Sequence, residues 1–162
     1  MKHTTLFGKT SDNTSVVLRY SDETETYEIY SPWKDGKSRP SLRRKPDVVP
    51  YAEVTAYTTY VEADTRKKSG IGRAAGLGIL FGPAGAVVGA VTGRAEFETV
   101  KQISIAIRAG GSEYILPLLY APMKGEKAAS AAARRATDLL AEISAKLEST
   151  GAAFDASMTA SI

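Results

Sequence analysis

The sequence predicts an α+β fold: a small antiparallel β-sheet or barrel, one C-terminal helix, and a glycine-rich apolar helical hairpin inserted between strands. Three observations predict it. Short stretches alternate apolar and polar residues with a period of two, most clearly where Ile103, Ile105 and Ile107 interleave with Ser104 and Arg108. Ala132, Ala136, Leu139, Leu140, Ile143 and Leu147 recur at helical spacing near the C-terminus. Gly70 to Arg94 holds eight of the fourteen glycines, and no charged residue falls between Ala74 and Gly93.

In chain order, residues 4–9 read as a short strand. Ser15–Tyr20 and Thr26–Ser31 read as two more, separated by the polar turn Ser21–Glu25. Tyr27 and Ile29 alternate with Glu28 and Tyr30, the pattern of a sheet with one wet face. Pro32–Asp47 carries three prolines and no period, which marks a long surface loop. Val48–Val61 opens with a short turn and becomes rich in β-formers, with Val54, Ala56, Thr58 and Tyr60 on one face, and Glu62–Lys68 is a charged run. Glu96–Arg108 and Glu113–Tyr120 flank the tight turn Ala109–Ser112 as a β-hairpin, and Pro117 calls for an edge or a bulge. Lys124–Ser149 reads as the long helix, stopped by Gly151. Residues 1–150 therefore form one domain, and residues 151–162 a mobile tail, although Phe154 and Met158 could dock. The expected core is Val16, Leu18, Val54, Ile103, Ile105, Ile107, Leu116, Leu118, Leu139, Leu140, Ile143 and Leu147.

The insertion spans residues 70–94. Glycines at 72 and 76, at 78 and 82, and at 85, 89 and 93 are spaced by four, which on a helix makes a smooth groove for a second backbone. Glycine inside a helix costs roughly 0.8–1.0 kcal/mol relative to alanine, so helices that keep so many need a compensating contact. Gly82-Pro83 breaks the run into helices at about Arg73–Phe81 and Pro83–Val91. The residues expected to make a self-association or membrane contact are Gly72, Gly76, Gly78, Leu80, Phe81, Gly82, Pro83, Gly85, Val88, Gly89 and Gly93. The glycines match neither G-x-G-x-x-G nor a G-K-[ST] loop, so both phosphate-binding fingerprints fail.

Net charge is +3 and the pI about 9.1, too mild to mark a nucleic-acid binder. Lys34–Lys45 concentrates six basic residues against one acid, and Lys37, Arg39, Arg43, Arg44 and Lys45 are the expected anion-binding set, for lipid headgroups or an acidic partner. There is no cysteine, which fits a reducing cytoplasm, and the N-terminus has no apolar signal region. The sole histidine, His3, sits at the terminus, so neither a catalytic triad nor a histidine-rich metal site is expected. The sequence thus points away from an enzyme, a cofactor or metal, a small-molecule substrate and nucleic acid.

This order of parts resembles a family of small bacterial and prophage proteins with a pleckstrin-homology-like (PH-like) domain. The matching text is VVPYAEVTAYTTYVEADTRKK, GRAAGLGILFGPAGAVVGAVTGR, VKQISIAIRAGGSEYILPLLY and AASAAARRATDLLAEISAKLE, covering Val48 to Glu148. The resemblance implies a PH-like sheet or barrel carrying the glycine-zipper insertion, and PH-like domains often bind anionic partners through basic loops. Some relatives carry a zinc module or a short helical oligomerisation module. This chain has neither the cysteines nor the second helix, so those functions do not carry over.

The leading expectation is a non-enzymatic scaffold protein, cytoplasmic, that forms a homo-oligomer through the hairpin. The alternatives are a peripheral protein at the inner face of the cytoplasmic membrane, held by the hairpin and the basic loop, and a soluble protein-interaction module. Ala74–Gly93 as one straight helix would just span roughly 30 Å of hydrocarbon, but the proline break favours a shallow hairpin.

Overall fold

The alternating isoleucines lie in the longest strand of a computed structural model that describes residues 2–10, 13–39, 45–65, 77–79 and 97–162. Its strands are β1 (Thr4–Thr10), β2 (Asn13–Ser21), β3 (Thr26–Ile29), β4 (Trp33–Lys34), β5 (Lys37–Ser38), β6 (Asp47–Pro50), β7 (Val54–Thr65), β8 (Leu77–Ile79), β9 (Phe97–Ala109), β10 (Ser112–Tyr120), β11 (Glu126–Lys127) and β12 (Ala153–Phe154). Helix α1 (Ala131–Ser149) follows β11. The main sheet runs β12-β7-β9-β10-β1-β2-β3-β6.

Two antiparallel meanders build it, β1-β2-β3-β6 and β7-β9-β10. They join where β1 meets β10 at Lys9↔Leu119 and Thr10↔Tyr120. That junction is parallel, as is β12 on β7, so the sheet is mixed and the expected all-antiparallel sheet or barrel is corrected. Gly8 makes the junction possible. A Cβ there would stand 2.4 Å from the Pro117 carbonyl oxygen and 2.9 Å from a Val17 methyl, so any side chain would push β1 off β10. Pro117 falls between the partners of β10, past Tyr114–Ile115 paired to β4 and before Leu119–Tyr120 paired to β1, and beside a bulge against β9. Its missing N–H is tolerated there.

The β9–β10 hairpin forms as expected. Gly110 and Gly111 have φ of 57° and 79°, the left-handed pair that a tight hairpin turn requires. A second hairpin lies inside the expected loop: β4 and β5 are joined by Asp35-Gly36, with φ of 51° and 76°. Helix α1 starts at Ala131 rather than Lys124. Gly125, at φ 69°, ends the preceding turn, and Ser130 caps the helix by accepting from the Ala133 amide. Its end is a Schellman turn: Gly151, at φ 105°, donates to the Glu148 carbonyl, and Ala152 donates to Leu147.

The helix lays Ala136, Leu139, Leu140, Ile143 and Leu147 on one sheet face, against Leu18, Tyr27, Ile29, Tyr57, Val61, Ile103, Ile105, Ile107, Leu116 and Leu118. Each large side chain buried this way stabilises by roughly 1.5–3 kcal/mol. Of the expected core, all are buried except Val16, which is half-buried. The register of β1 and β2 slips between Leu6 and Phe7, so Val17 is an extra residue, and Val17 and Leu18 are both buried. A similar slip between Val54 and Ala56 divides β7: Val54 joins the helix-side core, whereas Ala56 and Tyr60 turn to the opposite face.

That opposite face is covered by residues 155–162, expected as a mobile tail. Met158 and Ala160 are buried against Ala56 and Ala106, and the Ala160 carbonyl accepts from the Gln102 amide and the Ser104 hydroxyl. Phe154 packs edge-on against Tyr57. The tail docks because β9 buries two polar side chains that need an acceptor.

The expected helical hairpin is also corrected. Leu77–Ile79, inside the first expected helix Arg73–Phe81, is strand β8, paired antiparallel to β7 at Val61↔Ile79, Glu62↔Gly78 and Ala63↔Leu77. The reason is periodicity. A spacing of four keeps glycines on one side of a helix, but four is also twice two and keeps them on one face of a strand. Gly76-Leu77-Gly78-Ile79 alternates glycine with β-branched or large apolar residues. The second expected helix, Pro83–Val91, lies outside the described residues.

Candidate functional site

β7 and β9 pair from Val54↔Ala109 to Thr65↔Phe97, so residues 66–96 leave and return at neighbouring strand ends. Near that end β8 flanks β7, and β11 flanks β9 at Thr99 and Val100. Val61, Ala63 and Val100 are fully buried, which makes this end of the sheet a rigid base. Of the expected contact residues, Gly78 stands opposite Glu62 in the register. Gly72, Gly76, Leu80, Phe81, Gly82, Pro83, Gly85, Val88, Gly89 and Gly93 lie outside the described residues.

The basic loop divides. Lys37 and Lys45 are exposed; Arg43 and Arg44 lie outside the described residues. Arg39 turns inward, donating to the Ser31 carbonyl at 2.8 Å and to Asp47 at 3.2 Å. Asp47 gathers Lys34 at 3.0 Å and the Tyr114 hydroxyl at 2.7 Å, and both cations lie over the Tyr114 ring. Burial raises the Asp47 carboxyl, but Tyr114, Lys34 and Arg39 outweigh it and hold the group below the ordinary aspartate value. Burial and the Asp47 charge push the Tyr114 phenol up. Arg39 is therefore spent on anchoring the loop.

A third constellation had no sequence motif. At the end of α1 an open cleft of about 740 Å³ is lined by Asp22, Glu25, Tyr51, Lys146 and Thr150, among others. The Lys146 ammonium bonds Asp22 at 2.5 Å and lies 4.6 Å and 5.2 Å from the ring centres of Tyr20 and Tyr51. Tyr51 donates to the same carboxylate oxygen at 2.8 Å. Bonds from Lys146 first and Tyr51 second keep the Asp22 carboxyl below its ordinary range. Behind them the Tyr27 hydroxyl meets Thr150 at 2.6 Å, and burial pushes its phenol up to about 12. These residues lie in β2, β3 and the turn between them, after β6, and at the end of α1; the strands, the polar turn and the helix are legible in the sequence, but their meeting here is not.

Among the described residues no group of three or more His, Cys, Asp or Glu is placed to hold a metal, and no helix is long and apolar enough to cross a membrane. No family model, no curated protein and no solved structure matches the chain. The PH-like resemblance rests on the quoted sequence text alone.

Proposed function

We propose that this chain is a non-enzymatic scaffold protein that self-associates through residues 66–96, carried on the rigid end of the β7–β9 pair. The observation that carries the reading is the register: the chain leaves the sheet after Thr65 and returns at Phe97, which are register partners, and the sequence between them includes the uncharged stretch Ala74–Gly93. Glycines spaced by two or four leave one face flat in a strand, and those spaced by four do so in a helix. Flat apolar faces pack closely against copies of themselves, whereas an apolar patch left in water is a liability. β8 supports a strand-based contact, because it adds to the edge of β7 and has no second partner strand among the described residues.

A second reading shares the segment. Arg66, Lys67, Lys68 and Arg73 precede the uncharged stretch and Arg94 follows it. These cations, flanking the stretch in sequence, suit an anionic surface, each contributing about 1 kcal/mol beside such a bilayer. This reading would put the protein at the inner face of the cytoplasmic membrane, with Lys37 and Lys45 as further contacts.

Leucine at Gly85 and Gly89 separates the two. Added bulk is expected to lower the mass measured by light scattering and to leave flotation with anionic vesicles unchanged or stronger. If the double variant keeps its mass, close glycine packing is not the basis of assembly.

A further inference from the structure

Several edges of the sheet are covered or blocked. β12 and β8 cover β7, β11 flanks β9, and Pro46 and Pro50 stand at the two ends of β6. β1 differs. It pairs with β2 along its whole length but meets β10 only at Lys9 and Thr10. The other side of Thr4–Phe7 therefore has no partner strand among the described residues. This stretch carries no proline and no charge, and its Phe7 is 42% exposed. Such an edge presents unpaired N–H and C=O groups, a template for another strand.

A groove runs along that edge. Thr5, Leu6 and Phe7 line a cavity of about 260 Å³ with Asp138, Leu139 and Glu142 of α1. Phe7, Gly8 and Lys9 line a smaller one with Ala132 and Ala136, and Arg135 and Leu139 line both. Consecutive strand residues point to opposite faces, so a groove that touches all of Thr5–Lys9 follows the edge of β1. Thr5–Lys9 as a strand and Ala132–Glu142 as a helix are each roughly 15 Å long, so the two walls match. Charge is divided between the ends: Lys9 and Arg135 lie toward β10, Asp138 and Glu142 toward Thr5. Lys9 is loosely paired with Glu126 at 3.8 Å, and the other three form no ion pair among the described residues.

We infer that this groove binds an extended peptide segment of another protein, which adds to the edge of β1 as an antiparallel strand. Main-chain bonds to Thr4–Phe7 hold the segment, and its apolar side chains rest on Phe7 and Leu139. An acidic residue toward its N-terminal end meets Lys9 and Arg135, and a basic residue toward its C-terminal end meets Asp138 and Glu142. The charges thus set the direction of the bound strand.

The test is selection from a random heptapeptide library displayed on phage against the intact chain, followed by synthesis of the enriched peptides. Enriched sequences are expected to alternate apolar residues between an N-terminal acid and a C-terminal base. A bound peptide should slow hydrogen exchange over residues 4–8, read by mass spectrometry. Phe7→Lys sets a charge on the exposed edge and should abolish binding. Glu142→Gln, at an exposed helix position, should weaken binding by about 1.5- to five-fold, the range of one exposed ion pair. No enriched sequence, binding without slowed exchange over residues 4–8, or binding that survives Phe7→Lys would overturn the site. Slowed exchange that follows protein concentration and needs no peptide would assign the edge to a second copy, and would overturn it as a peptide site.

Discussion

Asp47 holds Lys34, Arg39 and Tyr114 together at the root of the basic loop, and it gives the fold a defined acid dependence. Its carboxyl titrates lower in the folded protein than in the unfolded chain, so the unfolded chain takes up the proton first as pH falls. The stabilisation is complete above the unfolded value of about 3.9 and is lost as pH falls through the depressed folded value. Asp47→Asn should cost roughly 1–3 kcal/mol at pH 7, because Tyr114 and the two cations lose a charged acceptor and share the single neutral oxygen of the amide. Urea melts of both proteins from pH 7 to pH 2.5 are expected to converge at the acid end. A constant gap across that range would show that the charge of Asp47 is not what matters. Thr58 is the opposite case: it is fully buried, and its hydroxyl has no hydrogen-bond partner among the described residues. Thr58→Val keeps the shape and removes the unsatisfied group, so a gain of about 1 kcal/mol is expected in the same melts. A loss would mean that the hydroxyl is satisfied in solution.

Among the elements, the β9–β10 hairpin and α1 form the central packing, and Ile105→Ala or Leu140→Ala should each cost roughly 2–5 kcal/mol in denaturant melts. Losses below about 1 kcal/mol at both would contradict the packing of helix on sheet. The tail is a separate increment. Ending the chain after Phe154 uncovers the Gln102–Ser104 side of β9 and should cost roughly 1.5–3 kcal/mol, the burial of a side chain such as Met158. These elements also show what the amino-acid pattern could and could not convey. Alternation at Ile103–Ile107 and helical spacing at Leu139–Leu147 are local and strong, so the strand and the helix are legible there, although the helix begins at Ala131 rather than Lys124. Val17 and the two-sided face of β7 escaped because bulges shift the period by one residue, and bulges are set by partners distant in sequence. The β4–β5 turn did carry a signal, Asp35-Gly36, which the surrounding prolines and charges obscured. The Asp22–Tyr51–Lys146 cluster has no local pattern, since these residues meet only in the folded sheet.

At the scale of the molecule, two meanders meet at the parallel β1–β10 junction, one helix covers one face, and the C-terminal tail lies on the other. This arrangement commits the insertion to a single exit. Because Thr65 and Phe97 are register partners, an Asn-Gly turn can replace residues 66–96 and reconnect β7 to β9. The excision also removes β8, so the end of β7 becomes a free edge, while the pairing of β7 with β9 and the packing of α1 are retained. The most direct measurement is the mass of the intact and excised chains by size-exclusion light scattering without detergent, with circular dichroism as the check on folding. The expected result is a multiple of 17.2 kDa for the intact chain and a folded monomer for the excised one. An intact chain that is a monomer, or an excised chain that keeps the intact assembly state, would contradict self-association through residues 66–96.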